Sequence, residues 1–128
     1  MRVLINAASA NMGGALTYLQ NLLRWLPEID VEDEFIVYAP STTLEKLAHI
    51  GSPNIHLEPY PSDKTGGARR IVFDQIDIPL LASRYKIDVL FSSTGFGTFL
   101  SPCPQVLLVR NPVYFDKQFH AKYRELRR

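Results

Sequence analysis

The sequence predicts an α/β fold, a doubly wound parallel sheet of about five strands with helices on both faces. Short apolar runs of strand type alternate with longer segments of helical spacing, and parallel strands require such crossovers between them. Most of the runs are apolar almost throughout, as expected for strands that are covered on both faces. The 128 residues are enough for one domain with a modest core.

The N-terminal segment has the pattern of a strand, a glycine turn and a helix. Residues 2–6 form an apolar run, Gly13 and Gly14 follow, and residues 15–26 have helical spacing. Glycine lets a ligand approach the backbone closely, and the free N–H groups at a helix N-terminus favour an anion. The pattern therefore predicts a phosphate-binding loop, although it is neither the full dinucleotide fingerprint nor a P-loop. Alternatively, the two glycines only permit a tight turn.

The next segment predicts two more strands around a short helix. Residues 34–39 form a second apolar run, and Ser41 suits the N-cap of a helix that Gly51 ends. Residues 54–58 alternate apolar and polar side chains, which is typical of a partly exposed third strand.

The second half of the chain predicts a long helix and two strands. Residues 59–68 read as a loop, and residues 69–86 have helical spacing. Pro79 should kink or split this helix, because proline removes a hydrogen bond and clashes with the preceding turn. Residues 88–91 and 105–109 are the fourth and fifth predicted strands.

Three of the predicted loops meet at one edge of the sheet. Ligands of parallel sheets bind outside the carboxyl ends of the strands, where the strand order reverses. The loops after the first, fourth and fifth strands open onto that edge, and they contain residues 11–14, 92–97 and 110–114.

Composition excludes several functional classes. The net charge of +1 gives no basic field for nucleic acid, so no nucleic-acid partner is expected. Cys103 is the only cysteine and no Cys/His cluster has zinc spacing, so we expect neither an intramolecular disulfide nor a metal or other cofactor. The uncharged stretches are interrupted too often for a signal peptide or a membrane span, which favours a cytoplasmic location.

Four segments, in their order and spacing, resemble those of one enzyme family. They are residues 1–6 with Gly13-Gly14, Phe73-Asp74-Gln75 with Ile78-Pro79-Leu80, residues 87–92, and residues 105–112. With these segments the chain resembles the N-terminal domain of GT-B fold glycosyltransferases, specifically the retaining enzymes of family four, the glycosyl transferase group 1 type. The resemblance covers nearly the whole chain.

This resemblance implies transfer of a sugar from a nucleotide-diphosphate sugar to a sugar, lipid or other small acceptor, with retention. Such enzymes have two Rossmann-like domains, of which the N-terminal one holds the acceptor and touches the donor phosphates. By analogy, Gly13 and Gly14 would contact the diphosphate. The family's C-terminal domain, with its Glu-x7-Glu motif, is missing from residues 1–128. We therefore expect a domain that is incomplete at its C-terminus and inactive in isolation.

Arg110 and Asn111 stand where the family often has a histidine. Arg110 could bind a phosphate through two N–H groups, and Asn111 could donate to a sugar hydroxyl. Alternatively, Arg110 neutralises an internal carboxylate and Asn111 caps a turn. Thr94, Gly95 and Phe96 could shape the acceptor site, or they could form only a flexible turn. The sequence assigns no catalytic residue.

The remaining candidates favour structural roles. Asp74 and Gln75 are expected on a solvated or capping helix face, and Tyr18 and Trp25 in the core. A basic tail carries Lys117, Lys122, Arg124, Arg127 and Arg128 with Phe119 and Tyr123. It could contact the inner face of a membrane weakly, or it could be a solvated helix face. The alternative to a glycosyltransferase is a non-catalytic α/β module that binds a nucleotide, a sugar or a protein partner.

Overall fold

A computed structural model of the chain describes residues 1–60, 67–93 and 95–110 together with Lys117 and Lys122. In this part of the chain five strands form one sheet in the order β3-β2-β1-β4-β5, and every neighbouring pair is parallel. This topology confirms the predicted doubly wound α/β fold. The strands are β1 (Arg2–Asn6), β2 (Glu34–Ala39), β3 (Ile55–Pro59), β4 (Val89–Ser92) and β5 (Gln105–Leu107).

Helical segments connect the first four strands. They are α1 (Gly13–Ile29), α2 (Ser41–Leu47), α3 (Gly67–Val72), a π-helix (Phe73–Asp77) and α4 (Ile78–Arg84). The predicted N-cap of α2 is wrong, because Pro40 occupies that position and Ser41 is the first helical residue.

Proline divides the long helix between β3 and β4, as the sequence predicts. Pro79 lies in the first turn of α4, where its missing N–H costs least. Just before it, the N–H of Ile78 donates to the carbonyl of Phe73, five residues back, which is the spacing of a π-helix. The extra residue in this turn rotates the following side chains relative to a regular helix.

The helices cover opposite faces of the sheet. Leu4 and Ile5 are neighbours in β1, so their side chains point to opposite faces, and both are almost completely buried. Ile5 packs in a cluster with Leu19 and Leu23 of α1, whereas Leu4 packs with Phe73, the first residue of the π-helix. The hydrophobic core is therefore divided into two layers by the sheet.

Strand β5 differs from its prediction. It ends at Leu107 rather than at residue 109, and all three of its side chains are exposed, including 53% of Val106. Its only partner among the described strands is β4, so it lies at an edge of the sheet. The prediction of a strand covered on both faces is wrong here, because no described helix packs over β5.

Phe73 is the central side chain of the layer that contains the π-helix. Its ring lies 4.6 Å from that of Tyr60 and 5.9 Å from that of Tyr38, both in edge-to-face geometry. We expect Phe73→Ala to lower the free energy of unfolding by about 3–5 kcal/mol, because it removes a fully buried ring and leaves a cavity. Urea denaturation measures this change. Ile29→Ala, on the exposed end of α1, is the control and should stay within about 0.5 kcal/mol.

Candidate functional site

The strand order reverses between β1 and β4. From β1 the chain proceeds outward through β2 and β3, and it then returns to place β4 on the other side of β1. Asn6, the last residue of β1, is in register with Ser92, the last residue of β4. At such a reversal the loops that leave the two strands are expected to diverge and to open a crevice at the carboxyl edge of the sheet. In parallel sheets this is the expected position of a ligand.

The two glycines before α1 have different roles. Gly13 has a φ of +61°. Residues other than glycine adopt this backbone angle only with strain, so the turn requires a glycine at this position. Gly14 has no such φ, and a Cβ added to it would meet no described atom within 4 Å. The tight-turn interpretation therefore accounts for Gly13 but not for Gly14, which leaves open space beside the first turn of the helix.

The N-terminus of α1 has no neutralising group within the chain's described part. Its N-cap residue, Met12, has an extended backbone and offers no side-chain acceptor, and the first turn contains no acidic residue. The first N–H groups of a helix have no partners within the helix, and they carry a partial positive charge. This end of α1 can therefore accept an anion.

Arg110 connects the glycine loop with the loop after β4. Its guanidinium donates to the carbonyl oxygen of Gly14 at 3.0 Å and to that of Ser93 at 3.2 Å. The same group lies 5.1 Å from the ring centre of Tyr18 in α1, a cation–π contact. Within the described ranges it pairs with no carboxylate. These contacts hold a positive charge at the crevice and leave N–H donors for a ligand.

A buried polar network lies on the other side of the crevice. The Asp74 carboxylate accepts a hydrogen bond from the Asn6 amide at 2.8 Å and forms an ion pair with Arg70, also at 2.8 Å. The Asn6 side-chain oxygen accepts from the N–H of Ala8, and Arg70 donates to the Ser9 hydroxyl. The expectation that Asp74 lies on a solvated helix face is wrong, because this carboxylate is needed inside to satisfy Asn6 and Arg70.

Two glutamine amides hold the loop after β4. The Gln75 side chain donates to the carbonyl of Gly97 and accepts from the N–H of Phe99, both at 2.9 Å. The Gln105 side chain makes the same two-bond contact with the backbone of Thr98, at 3.1 Å and 2.7 Å. Gln75 therefore positions this loop instead of facing solvent.

The predicted acceptor residues of this loop are only partly described. Gly95 has a φ of +83°, so a backbone turn requires it, and the Phe96 side chain is exposed. Thr94 and Asn111 lie outside the described residues, as does the basic tail apart from Lys117 and Lys122. The predicted residues that the structure does bring together are Gly14 and Arg110.

Ser92 has an unusual buried hydroxyl at the end of β4. Its side chain is 1% exposed, and its Oγ has no hydrogen-bond partner among the described residues. A buried hydroxyl without a partner costs free energy. Register and alternation place this side chain beside Asn6, on the sheet face of the π-helix. The sequence analysis placed Ser92 in the loop at this edge of the sheet, one residue beyond the predicted strand, but gave its side chain no role.

The aromatic residues of α1 are less buried than predicted. Trp25 is 55% exposed, so its assignment to the core is wrong, and Tyr18 is half-buried beneath the Arg110 guanidinium. Helical periodicity identified the apolar stripe of α1 correctly. Periodicity alone could not show how far each side chain of the stripe is exposed to solvent.

The described residues contain no group of three or more His, Cys, Asp and Glu side chains that could hold a metal ion. In the same ranges no helix has both the length and the apolar character that crossing a bilayer requires. Comparison of the chain with protein-family models, curated proteins and solved structures found no match. Interpretation of the site therefore depends on its geometry and on the sequence resemblance.

The buried ion pair should be important for stability. Asp74→Ala removes the carboxylate that pairs with the Arg70 guanidinium and accepts from the Asn6 amide, and we expect it to lower the free energy of unfolding by about 3–5 kcal/mol. Urea denaturation at neutral pH measures the loss. Glu34→Ala is the matched control, because it removes the exposed ion pair with Arg2 and should cost about 1 kcal/mol or less. Equal losses in the two variants would contradict a central role for Asp74.

Proposed function

We propose that residues 1–128 form the acceptor-side, Rossmann-like N-terminal domain of a retaining GT-B glycosyltransferase. Its donor would be a nucleotide-diphosphate sugar, and its acceptor a sugar, a lipid or another small molecule. One observation carries the proposal: the Arg110 guanidinium lies against the N-terminal turn of α1, 3.0 Å from the carbonyl of Gly14, at the point where the strand order reverses. The resemblance of the sequence to family four supplies the reaction.

This placement concentrates positive charge that a bound anion would balance. The N-terminus of α1 carries a partial positive charge, and the guanidinium adds a full one beside it. No acidic side chain in the first turn of α1 balances them. A diphosphate in the open space beside Gly14 would accept hydrogen bonds from the helix N–H groups and from Arg110.

The same donors would assist the chemical step. Negative charge accumulates on the diphosphate as its bond to the sugar breaks, and fixed N–H donors at that position stabilise the leaving group. The sequence resemblance also proposes Thr94, Gly95, Phe96 and Asn111 as residues that bind the donor sugar or the acceptor. The remaining donor contacts would come from a second, C-terminal domain, so the isolated chain should bind the nucleotide sugar weakly.

A second candidate is a non-catalytic module that binds a protein partner. The observation that favours it is the apolar surface beside β5, where Phe99 is 92% and Leu100 is 82% exposed. The two glutamine amides hold the backbone of this loop, so the apolar side chains are presented on an ordered segment. Such surfaces are typical of interaction sites. A nucleotide sugar would not bind at Gly14 if this were the whole function.

Gly14→Val tests the proposed phosphate site. The structure has room for the new side chain, so the melting temperature should change little, whereas a bound phosphate would be displaced. We expect the affinity for nucleotide sugars to fall at least tenfold, about 1.4 kcal/mol, in calorimetric titrations with a panel of these donors. Gly51→Val is the matched control, because Gly51 is equally open and lies after α2. Unchanged donor affinity in Gly14→Val would remove the glycine loop from the site.

Arg110 can be tested in the same titrations. Arg110→Ala should weaken binding of the nucleotide sugar about tenfold, since it removes a charge and two forked donors from the crevice. Arg110→Lys should restore the affinity only partly, because lysine keeps the charge but not the planar geometry. Wild-type affinity in the alanine variant would show that the guanidinium only links Gly14 to Ser93.

A further inference from the structure

A second concave site lies on the sheet face opposite α1. It is a cavity of about 360 Å³ between α4 and the carboxyl ends of β2 and β3. None of its lining residues takes part in the contacts of Arg110. The lining residues are Tyr38, Pro59, Phe73, Asp77, Leu80, Leu81 and Arg84.

One wall of this cavity is formed by a single face of the helix that runs from the end of the π-helix through α4. Asp77, Leu80, Leu81 and Arg84 follow the spacing i, i+3, i+4 and i+7, which places them on the same helix face. Asp77 and Arg84 stand at the two ends, and seven residues of helix separate them by about 10 Å along the axis. The wall therefore has a negative end, an apolar middle and a positive end.

Neither of the two charged side chains, Asp77 and Arg84, forms an ion pair in the part of the chain that the structure describes, whether with each other or with a third side chain. The Arg84 guanidinium only lies 5.8 Å from the ring centre of Tyr85. The dipole of α4 favours an acid at its start and a base at its end, but it would do so on any face of the helix. It does not explain why both charges border the cavity.

The opposite wall and the floor are aromatic and fixed. Phe73 is fully buried, and its edge-to-face contacts with Tyr38 and Tyr60 hold the ring in place. Burial raises the pKa of Tyr38 to about 12. A preformed apolar cavity of this size with a few polar groups at its ends is typical of small-molecule sites.

We propose that this cavity binds a small elongated molecule with an aromatic middle, a cationic group at the Asp77 end and an anionic group at the Arg84 end. The charges of such a ligand complement those of the wall, and its ring packs between Leu81 and the aromatic floor. The inference goes beyond the proposed glycosyltransferase function and does not depend on it.

Nuclear magnetic resonance titration of the ¹⁵N-labelled 128-residue chain tests the proposal. The probe is 3-[4-(aminomethyl)phenyl]propanoate, an elongated ring compound with one charge at each end. Its controls are benzylamine and 3-phenylpropanoate, each of which keeps the ring and one charge. We expect amide shifts at residues that line the cavity, and a Kd that is about three- to tenfold lower for the probe than for either control.

Charge variants identify the orientation. Asp77→Asn should raise the Kd of the probe about three- to tenfold and leave that of 3-phenylpropanoate unchanged. Arg84→Gln should do the same while leaving benzylamine unchanged. The double variant Asp77→Arg, Arg84→Glu should retain the affinity, because the probe can bind in the reverse direction. Glu28→Gln, an exposed carboxylate on α1, is the control and should change no Kd.

Several results would overturn the proposal. Equal Kd values for the probe and its two controls would show that the charges are not recognised. Shifts confined to other surfaces, or no shifts at the cavity with about 10 mM of any compound, would show that it is not a binding site. If both single variants bound the probe with unchanged affinity and had the melting temperature of the wild type, the two charges would not take part in binding and the proposal would be wrong.

Discussion

The carboxyl edge of the sheet depends on one buried carboxylate. Asp74 is almost completely buried, and its charge is tolerated there because the Asn6 amide and the Arg70 guanidinium both bind it. Its backbone carbonyl also accepts from the hydroxyl of Thr98 at 2.8 Å. The end of β1, the π-helix and the loop after β4 are therefore joined at a single residue. If the carboxylate were removed, the Asn6 amide and the Arg70 guanidinium would lose this acceptor, whereas the contact of Thr98 with the backbone would remain.

Sequence reasoning succeeded where local pattern decides the structure. The apolar run of residues 2–6 becomes a central strand because both of its faces are apolar. Pro79 lies where the regular hydrogen bonding of the long helix is interrupted, because proline has no N–H to donate. Sequence reasoning failed for β5. The apolar residues in Gln105–Leu107 predict a strand, but they do not show whether a helix packs over it. Whether a helix packs over a strand is decided by the tertiary structure, and the residue spacing within the strand does not show it.

The candidate site at the carboxyl edge was also predicted only in part, because some of its contacts join residues that lie far apart in the sequence. The glycine loop is a local signal, and Arg110 was singled out because it follows a predicted strand where the resembled family often has a histidine. The role of Asp74 depends on Asn6, which lies 68 residues earlier, so no local spacing could reveal it. The π-helix adds to the difficulty, because its extra residue rotates the side chains that follow it and the sequence pattern does not show that residue. Only the three-dimensional structure distinguishes Gly13, which the turn requires, from Gly14, which it does not.

The two sides of the crevice are connected by hydrogen bonds through the end of β1. The Asn6 side chain donates to Asp74, while its backbone carbonyl accepts from both the N–H and the hydroxyl of Ser93, at 3.1 Å and 3.2 Å. The carbonyl of Ser93 accepts in turn from Arg110, which also donates to Gly14. A continuous path thus runs from the buried carboxylate on one face of the sheet to the glycine loop on the other. Because the interior end of this path is buried and paired, the exposed Arg110 is held beside the helix N-terminus before any ligand arrives. Such preorganisation would lower the entropy cost of binding an anion at the proposed diphosphate site.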